Sequence, residues 1–215
     1  MKGFFSMIAD YIREVDKIML SLAIMASTYG CLAVFSATHP SGSPRQFIVQ
    51  TVSMLGGIVV AIIISNIDFN DIIRFWYLAV PIGLIPVILT FFIGYAPGDT
   101  DDKAWLLLPG GVSFQPSELL KICFIITFSA HISAVKKNIN KIRVLLPVLA
   151  HGIFPVGLIF IQGDVGTAII FAAMFVFMLF AAGIDLKYII IAVVSALVAS
   201  PFVYFFVLND THRER

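Results

Sequence analysis

Residues 115–132 read QPSELLKICFIITFSAHI, and this stretch decides how the rest of the chain is read. Proline is favoured at the first helical position because its missing N–H would be unsatisfied there anyway. That makes Gln115 the cap and Glu118 the third helical residue of a helix opening at Pro116. Between Pro116 and Ile132 the only charges are Glu118 and Lys121, and an uncharged, mostly apolar run follows them. A run of roughly 17–25 such residues matches the ~30 Å hydrocarbon thickness of a bilayer as a helix. Six more windows read the same way: Ile18–Ala37, Phe47–Ile67, Phe75–Tyr95, Val144–Ile161, Val165–Ile184 and Tyr188–Leu208. Of 14 basic and 13 acidic side chains, only Glu118 and Lys121 fall inside these windows.

Composition agrees with that reading. Of the 215 residues, 60% are hydrophobic and 13% charged, the latter about half the share of an ordinary soluble domain. Lipid cannot satisfy bare backbone polar groups, so helices are the spanning form for such blocks. The expected fold is all-α: a polytopic membrane helix bundle, with seven transmembrane helices in residues 18–208. A soluble globular domain is excluded, as is a porin-type barrel, whose strands alternate over about ten residues. No basic stripe interleaved with aromatics points to nucleic acid. Cys31 and Cys123 fall inside windows, which argues against a disulfide framework or a metal site. The first window lacks a small-residue cleavage site and is too long for a signal peptide's apolar core, so it reads as retained.

Lys and Arg mark the cytoplasmic side of a membrane protein. With the N-terminus inside, the inner segments hold Lys2, Arg13, Lys17, Arg74, Lys136, Lys137, Lys141, Arg143 and Lys187. The outer ones hold Arg45, Lys103, Arg213 and Arg215. This bias places the N-terminus in the cytoplasm and residues 38–46, 96–115, 162–164 and 209–215 outside. Residues 1–17 form a cytoplasmic interfacial segment, with Phe4, Phe5, Ile8, Tyr11, Ile12 and Val15 at helical spacing. The loop 96–115 is wet at its three aspartates, and its Trp105-Leu106-Leu107-Leu108 stretch suits the interface.

Glu118 at a helix start is stabilised by free N–H groups and the helix dipole. Lys121 follows at i+3 on the same face. One reading is a self-neutralising ion pair that orders the helix start. The other is functional: charges inside a membrane cost about 2.5–3.5 kcal/mol on insertion scales and usually face a polar cavity. A helix N-terminus with a lysine one turn in also cradles phosphate or pyrophosphate. In the turn Gln162-Gly163-Asp164-Val165-Gly166-Thr167, Asp164 is placed to cap the sixth helix by accepting the Gly166 or Thr167 N–H. The same turn could wall a polar cavity, since its glycines allow close backbone approach. Trp105 reads as an interfacial anchor or a ligand contact. His131 and His151 read as neutral histidines bonded to a neighbouring helix. The run Asp99, Asp101 and Asp102 reads as a solvated loop face that a divalent cation could visit, with no spaced partners for a metal site. Pro81, Pro86, Pro147 and Pro155 sit inside spans, which bundles tolerate.

Phe114-Gln115-Pro116-Ser117-Glu118-Leu119-Leu120-Lys121, preceded by Trp105 and Gly110-Gly111, resembles the signature of the SEDS proteins, the RodA, FtsW and SpoVE family of bacterial shape, division and sporulation. Asp164-Val165-Gly166-Thr167-Ala168, before a Phe-rich helix ending at Ala182-Gly183, resembles the family's second motif. The resemblance covers nearly the whole chain and leans to the RodA-like side. Three positions depart from the pattern. Ala104 stands where Arg or Lys commonly precedes the tryptophan, Gly163 where the second motif has proline, and Asp99–Asp102 where many members have Gly-Ala.

The resemblance implies a peptidoglycan glycosyltransferase of the bacterial cytoplasmic membrane. Such enzymes polymerise lipid II, the undecaprenyl-pyrophosphate-linked precursor, beside a class B penicillin-binding protein acting as transpeptidase. It also implies about ten membrane helices and a catalytic aspartate in a large outer loop after the seventh. This chain then reads as the N-terminal part, with 209–215 the start of that loop and the catalytic residue beyond Arg215. Glu118, Lys121, Trp105, Asp164, Gln115 and Ser117 become the substrate-binding and cavity candidates. Pro116, Gly166 and Thr167 hold their local structure. No particular cofactor is assigned, and a divalent cation is possible. Two other readings are a lipid-linked precursor flippase or transporter, and a non-catalytic membrane scaffold for a transpeptidase. Glu118 and Lys121 lie near the outer end of their span rather than its middle, which weighs against coupled transport.

Overall fold

The computed structural model describes residues 11, 13, 15–38, 45–96, 103–109, 111–188, 190, 191, 194 and 198. Phe4, Phe5, Ile8 and Ile12 of the expected interfacial segment, the Asp99–Asp102 run, most of the seventh window and residues 209–215 lie outside them. The chain divides into two units, 1–71 and 72–215.

In the first unit, α1 (Lys17–Thr38) and α2 (Arg45–Ser65) form an antiparallel pair. The Asp16 carboxylate caps α1 by accepting the N–H groups of Ile18 and Met19 at 2.9 and 3.0 Å. The helices meet where Cys31 Sγ lies 3.9 Å from Met54 Sδ and where Phe35 packs edge-on against Phe47. Most of their large apolar side chains are exposed, as lipid-facing surfaces are. A short helix, α3 (Phe69–Arg74), follows, with Asp71 in its first turn and Arg74 in its last. Each charge complements the end of the helix dipole that it sits on.

In the second unit, α4 (Trp76–Ile93) runs uninterrupted through Pro81 and Pro86. A two-stranded hairpin, β1 (Leu106–Leu108) and β2 (Val112–Phe114), leads into α5 (Pro116–Val135). After a 3₁₀ turn at Lys136–Asn138 come α6 (Ile142–Ile161), which contains Pro147 and Pro155, and α7 (Val165–Ala181). Five of these helices are long and apolar enough to cross a membrane: α1, α2, α4, α5 with its 3₁₀ turn, and α6. The sixth expected span is the shorter apolar helix Val165–Ala181. The protein is therefore a multi-pass, all-α membrane bundle, to which the hairpin is a small addition.

Part of the expected loop 96–115 is this hairpin, a regular structure that the sequence reading did not specify. Leu106 pairs with Phe114, Leu107 with Ser113 and Leu108 with Val112. Gly111 at φ 73° makes the turn, the left-handed conformation that a three-residue hairpin connection needs. An apolar triplet, Leu106–Leu108, and an alternating one, Val112-Ser113-Phe114, on either side of Pro109-Gly110-Gly111 were the available signal. The hairpin is joined to the end of α4 by Tyr95 and Trp105, whose backbones exchange hydrogen bonds of 2.9 and 3.3 Å.

The core of this unit is an aromatic ladder. Phe124 stacks on Phe128 with centroids 5.1 Å apart, Phe124 meets Phe171 at 5.8 Å, and Phe128 meets Phe175 at 5.4 Å. Val87, Leu145, Val148 and Ile159 close around it. Two glycines set how near the helices come. A Cβ on Gly83 would lie 2.8 Å from Cys123 Cβ, and one on Gly152 would lie 2.0 Å from Phe175 Cε2. Away from the Gln115 end, Asn140 ties the α5–α6 connection to the segment after α7. Its Oδ1 accepts the Asp185 N–H at 2.8 Å, and its carbonyl accepts the Tyr188 hydroxyl at 3.4 Å.

The Gly152 notch has a measurable consequence. Gly152→Ala forces α6 off the Phe175 ring, a strain of about 1–3 kcal/mol for an overpacked core. Gly157→Ala meets nothing within 4 Å and serves as the control. In detergent-solubilised protein the first variant unfolds at a lower temperature than wild type and the second does not. Equal midpoints for both would refute the close approach.

Candidate functional site

Two helix starts converge at one end of the second unit. Gln115 is extended (φ −99°, ψ 107°), and its carbonyl accepts the Glu118 N–H at 3.1 Å. Its side chain does not cap its own helix. Instead Gln115 Nε2 donates to Asp164 Oδ2 at 2.7 Å. The other carboxylate oxygen, Oδ1, accepts the Thr167 N–H at 2.9 Å and caps α7. The cap read from the sequence is therefore present. The tie from Asp164 to the start of α5 is what that reading lacked.

Gly163 turns the chain between α6 and α7 at φ 95°. Proline's ring holds φ near −65°, so the glycine turn differs in kind from one built with proline. Gly166 is exposed, and a Cβ there would meet Asp164 Oδ1 at 3.9 Å in ordinary contact, while Thr167 is buried. Gln162 caps α6, and its Nε2 donates to the Thr90 hydroxyl, which itself donates to the Val87 carbonyl at 2.6 Å. This bond joins the ends of α4 and α6. A lone amide in the last turn of an apolar helix was the only sequence signal for it.

On α5, Lys121 Nζ donates to Glu118 Oε1 at 2.7 Å. The Glu118 side chain is 57% exposed and that of Lys121 19%, so the glutamate is the more solvent-facing partner of the pair. Pro116 is buried, and Ser117 is 1% exposed with its Oγ unpartnered. Gln162 Oε1 is likewise buried without a partner. Trp105 is half-buried at the hairpin's base, and Ala104 beside it is 1% exposed. The structure thus brings Gln115, Glu118, Lys121, Asp164 and Thr167 to one end of the bundle. Trp105 is held to the end of α4 instead. His131 and His151 lie further along α5 and α6 and bond to each other across the two helices.

Chemically, this end combines the first turn of an apolar helix, a half-buried lysine and a fixed carboxylate. The first favours anions through its free N–H groups and dipole. The second adds a point charge to phosphate oxygens. Among the described residues no group of three or more His, Cys, Asp or Glu side chains could hold a metal ion.

The FtsW/RodA/SpoVE family, described as cell cycle proteins, matches residues 16–215. A probable peptidoglycan glycosyltransferase FtsW of Trichlorobacter lovleyi is 31% identical over 93% of this chain and 53% of its own length. The peptidoglycan glycosyltransferase MrdB of Escherichia coli K12 is 26% identical over 94% of this chain and 53% of its own. The chain therefore spans about half the length of these curated relatives. Their names give the RodA-like side no preference. A chain from a solved structure, reported as structural coordination of polymerization and crosslinking by a peptidoglycan synthase complex, superposes with a TM-score of 0.74. It is 21% identical and matches over 94% of this chain and 58% of that one, a likeness of fold.

The Gln115–Asp164 bond can be weighed by a double-mutant cycle. Asp164→Ala loses both cap and bond, while Gln115→Ala loses the bond alone. The combined loss of stability is smaller than the sum of the two by about 0.5–3 kcal/mol, the usual coupling of residues in contact. Unfolding in detergent measures it, and strict additivity would show that the two side chains do not interact.

Proposed function

The chain belongs to the FtsW/RodA/SpoVE family, and on that premise we propose that it is part of a peptidoglycan glycosyltransferase polymerising undecaprenyl-linked lipid II beside a class B penicillin-binding protein. The observation that carries this is the Gln115–Asp164 hydrogen bond. It holds the Asp164 carboxylate at Gln115, three residues before Glu118, which supports a reading in which both motifs wall one polar site at a bundle end. In this reading the N-terminus is cytoplasmic, the protein resides in the bacterial cytoplasmic membrane, and the site opens on the outer face.

Glycan extension needs a base for the acceptor hydroxyl and stabilisation of the leaving pyrophosphate. Preorganised charge and N–H donors supply the second need without reorganising during reaction. Lys121 and the start of α5 hold the pyrophosphate. Glu118 orients Lys121, leaving its own exposed carboxylate to line the cavity mouth. Asp164, with Gln115, fixes the α5–α7 wall, and the buried Ser117 hydroxyl adds a polar group behind it. Trp105 packs against lipid or sugar at the interface. Glu118 is engaged by Lys121, and both Asp164 oxygens accept hydrogen bonds. Glu118 and Asp164 are thus each given a positioning partner, and in this reading the base for the acceptor hydroxyl comes from elsewhere in the enzyme.

The test is polymerisation of labelled lipid II by the full-length protein with its transpeptidase partner. Lys121→Ala and Glu118→Gln each slow it by about 10-fold or more, the loss that removing some 1.4 kcal/mol of transition-state stabilisation produces. Wild-type rates from both variants would remove the proposed roles.

A further inference from the structure

Away from the Gln115–Asp164 site, α5 and α6 are joined inside the bundle by two histidines. His131 Nδ1 lies 3.0 Å from His151 Nδ1. The ring centroids are 5.2 Å apart and the planes are inclined by 26°. The centroid separation exceeds the nitrogen separation by about the sum of two ring radii. The two nitrogens therefore point at each other along the line between the rings, in an in-line hydrogen bond that holds one proton.

The tautomers follow from what lies behind His151. The Thr127 hydroxyl lies 3.2 Å from the Phe124 carbonyl and 3.3 Å from His151 Nε2. A carbonyl only accepts, so the threonine gives its proton to Phe124 and must accept from His151 Nε2–H. Neutral His151 then has a bare Nδ1, and His131 must be the donor through Nδ1–H. The bonds form a directed chain from His131 through His151 and Thr127 to the backbone. The remaining lone pair, on His131 Nε2, has no partner in that chain. His131 lines a cavity with Trp76, Ala130 and Ala134.

We propose that His131 and His151 form a proton-binding site within the bundle, which takes up a single proton at His131 Nε2 from hydronium entering that cavity. The first proton converts His131 to imidazolium and leaves every bond of the chain in place. The charge can pass to His151 by transfer of the shared Nδ1 proton. The rings of Phe124 and Phe128 stand edge-on to that of His151, with centroids 6.1 and 5.3 Å away. A second proton has only His151 Nδ1 to occupy. There two N–H groups would face each other at the distance of a hydrogen bond, and the α5–α6 tie would break.

No other described group competes for this proton at close range. α4 offers only the exposed Tyr77, which lines neither of the cavities beside the pair, and α7 has no titratable side chain. On α5, Cys123 shares a cavity wall with His151, and Glu118 and Lys121 neutralise each other. Lys121 is about 15 Å along the helix from His131, and Arg143 on α6 is about 12 Å from His151. Lys136 and Lys137 are exposed beyond the end of α5, and Asp185 pairs with Lys187 at 2.8 Å.

The test is ¹⁵N NMR of histidine-labelled full-length protein in phosphatidylcholine vesicles, with signals assigned by difference from His131→Phe and His151→Phe. His131→Asn and His151→Asn give the same assignment if the phenylalanine variants do not fold. At high pH, His131 is protonated on Nδ1 and His151 on Nε2. Acidification to about pH 5, below the ordinary histidine range, produces one imidazolium per pair with the Nδ1–Nδ1 bond retained. Thr127→Val, which removes the acceptor, lets His151 populate both tautomers. His131 protonated on Nε2 at high pH, two imidazolium rings or none at low pH, or a His151 tautomer unmoved by Thr127→Val would each overturn the proposal.

Discussion

In hydrocarbon, burying one apolar face against another gains little over leaving it in lipid, so hydrophobicity cannot choose which faces of these helices meet. What chooses instead is close backbone approach and polar side chains that would otherwise lack partners. Both are visible in the second unit. Gly83 lets α4 approach the Leu120 and Cys123 face of α5, and Gly152 admits the Phe175 ring into α6. Gln115 to Asp164, Gln162 to Thr90 and His131 to His151 then pin α5 to α7, α6 to α4, and α5 to α6. Each of these bonds has a geometry that a rotated helix would lose, so they fix orientation where leucine and phenylalanine would tolerate slippage.

The same constraint produces the site. A glutamine that caps its own helix would consume a first-turn N–H, whereas Gln115 reaches across to Asp164 and leaves the start of α5 open. Asp164 divides its oxygens between Gln115 and the α7 cap, so one carboxylate holds two helix starts together. The bond that packs the two helix starts together thus also leaves the first-turn N–H groups of α5 uncapped by the Gln115 side chain. The hairpin adds a fixed rim, because the Tyr95–Trp105 pairing ties it to α4 while β2 runs directly into Gln115.

What the sequence revealed and what it hid divide along the reach of each interaction. The helices were legible because span length and charge exclusion are local properties of a window. So were the Glu118–Lys121 pair, three residues apart, and the Asp164 cap, whose partner Thr167 is also three residues on. The Gln115–Asp164 bond spans 49 positions and the Gln162–Thr90 bond 72. No periodicity encodes which of several buried amides will meet which acceptor. The Leu106–Leu108 strand was hidden differently. Three consecutive leucines read equally well as an interfacial anchor, and only the pairing of Leu106 with Phe114 shows them to be a strand.

The placement of charge along α5 follows from this economy. Lys121 sits where a helix start already supplies a carboxylate neighbour and an exit to solvent, and its ammonium keeps both. About two to three turns further along α5 neither is available, and the groups that bond across to α6 there are Thr127 and His131, both to His151. These can be neutral, and each can donate and accept at once. A lysine at position 131 would need a counter-ion that α4 and α7, with no carboxylate between them, cannot provide. Histidine meets the same position's need for a cross-helix bond without carrying an obligatory charge. α5 thus holds its permanent charges at the end where an anion could reach them, and only conditional charge in its interior.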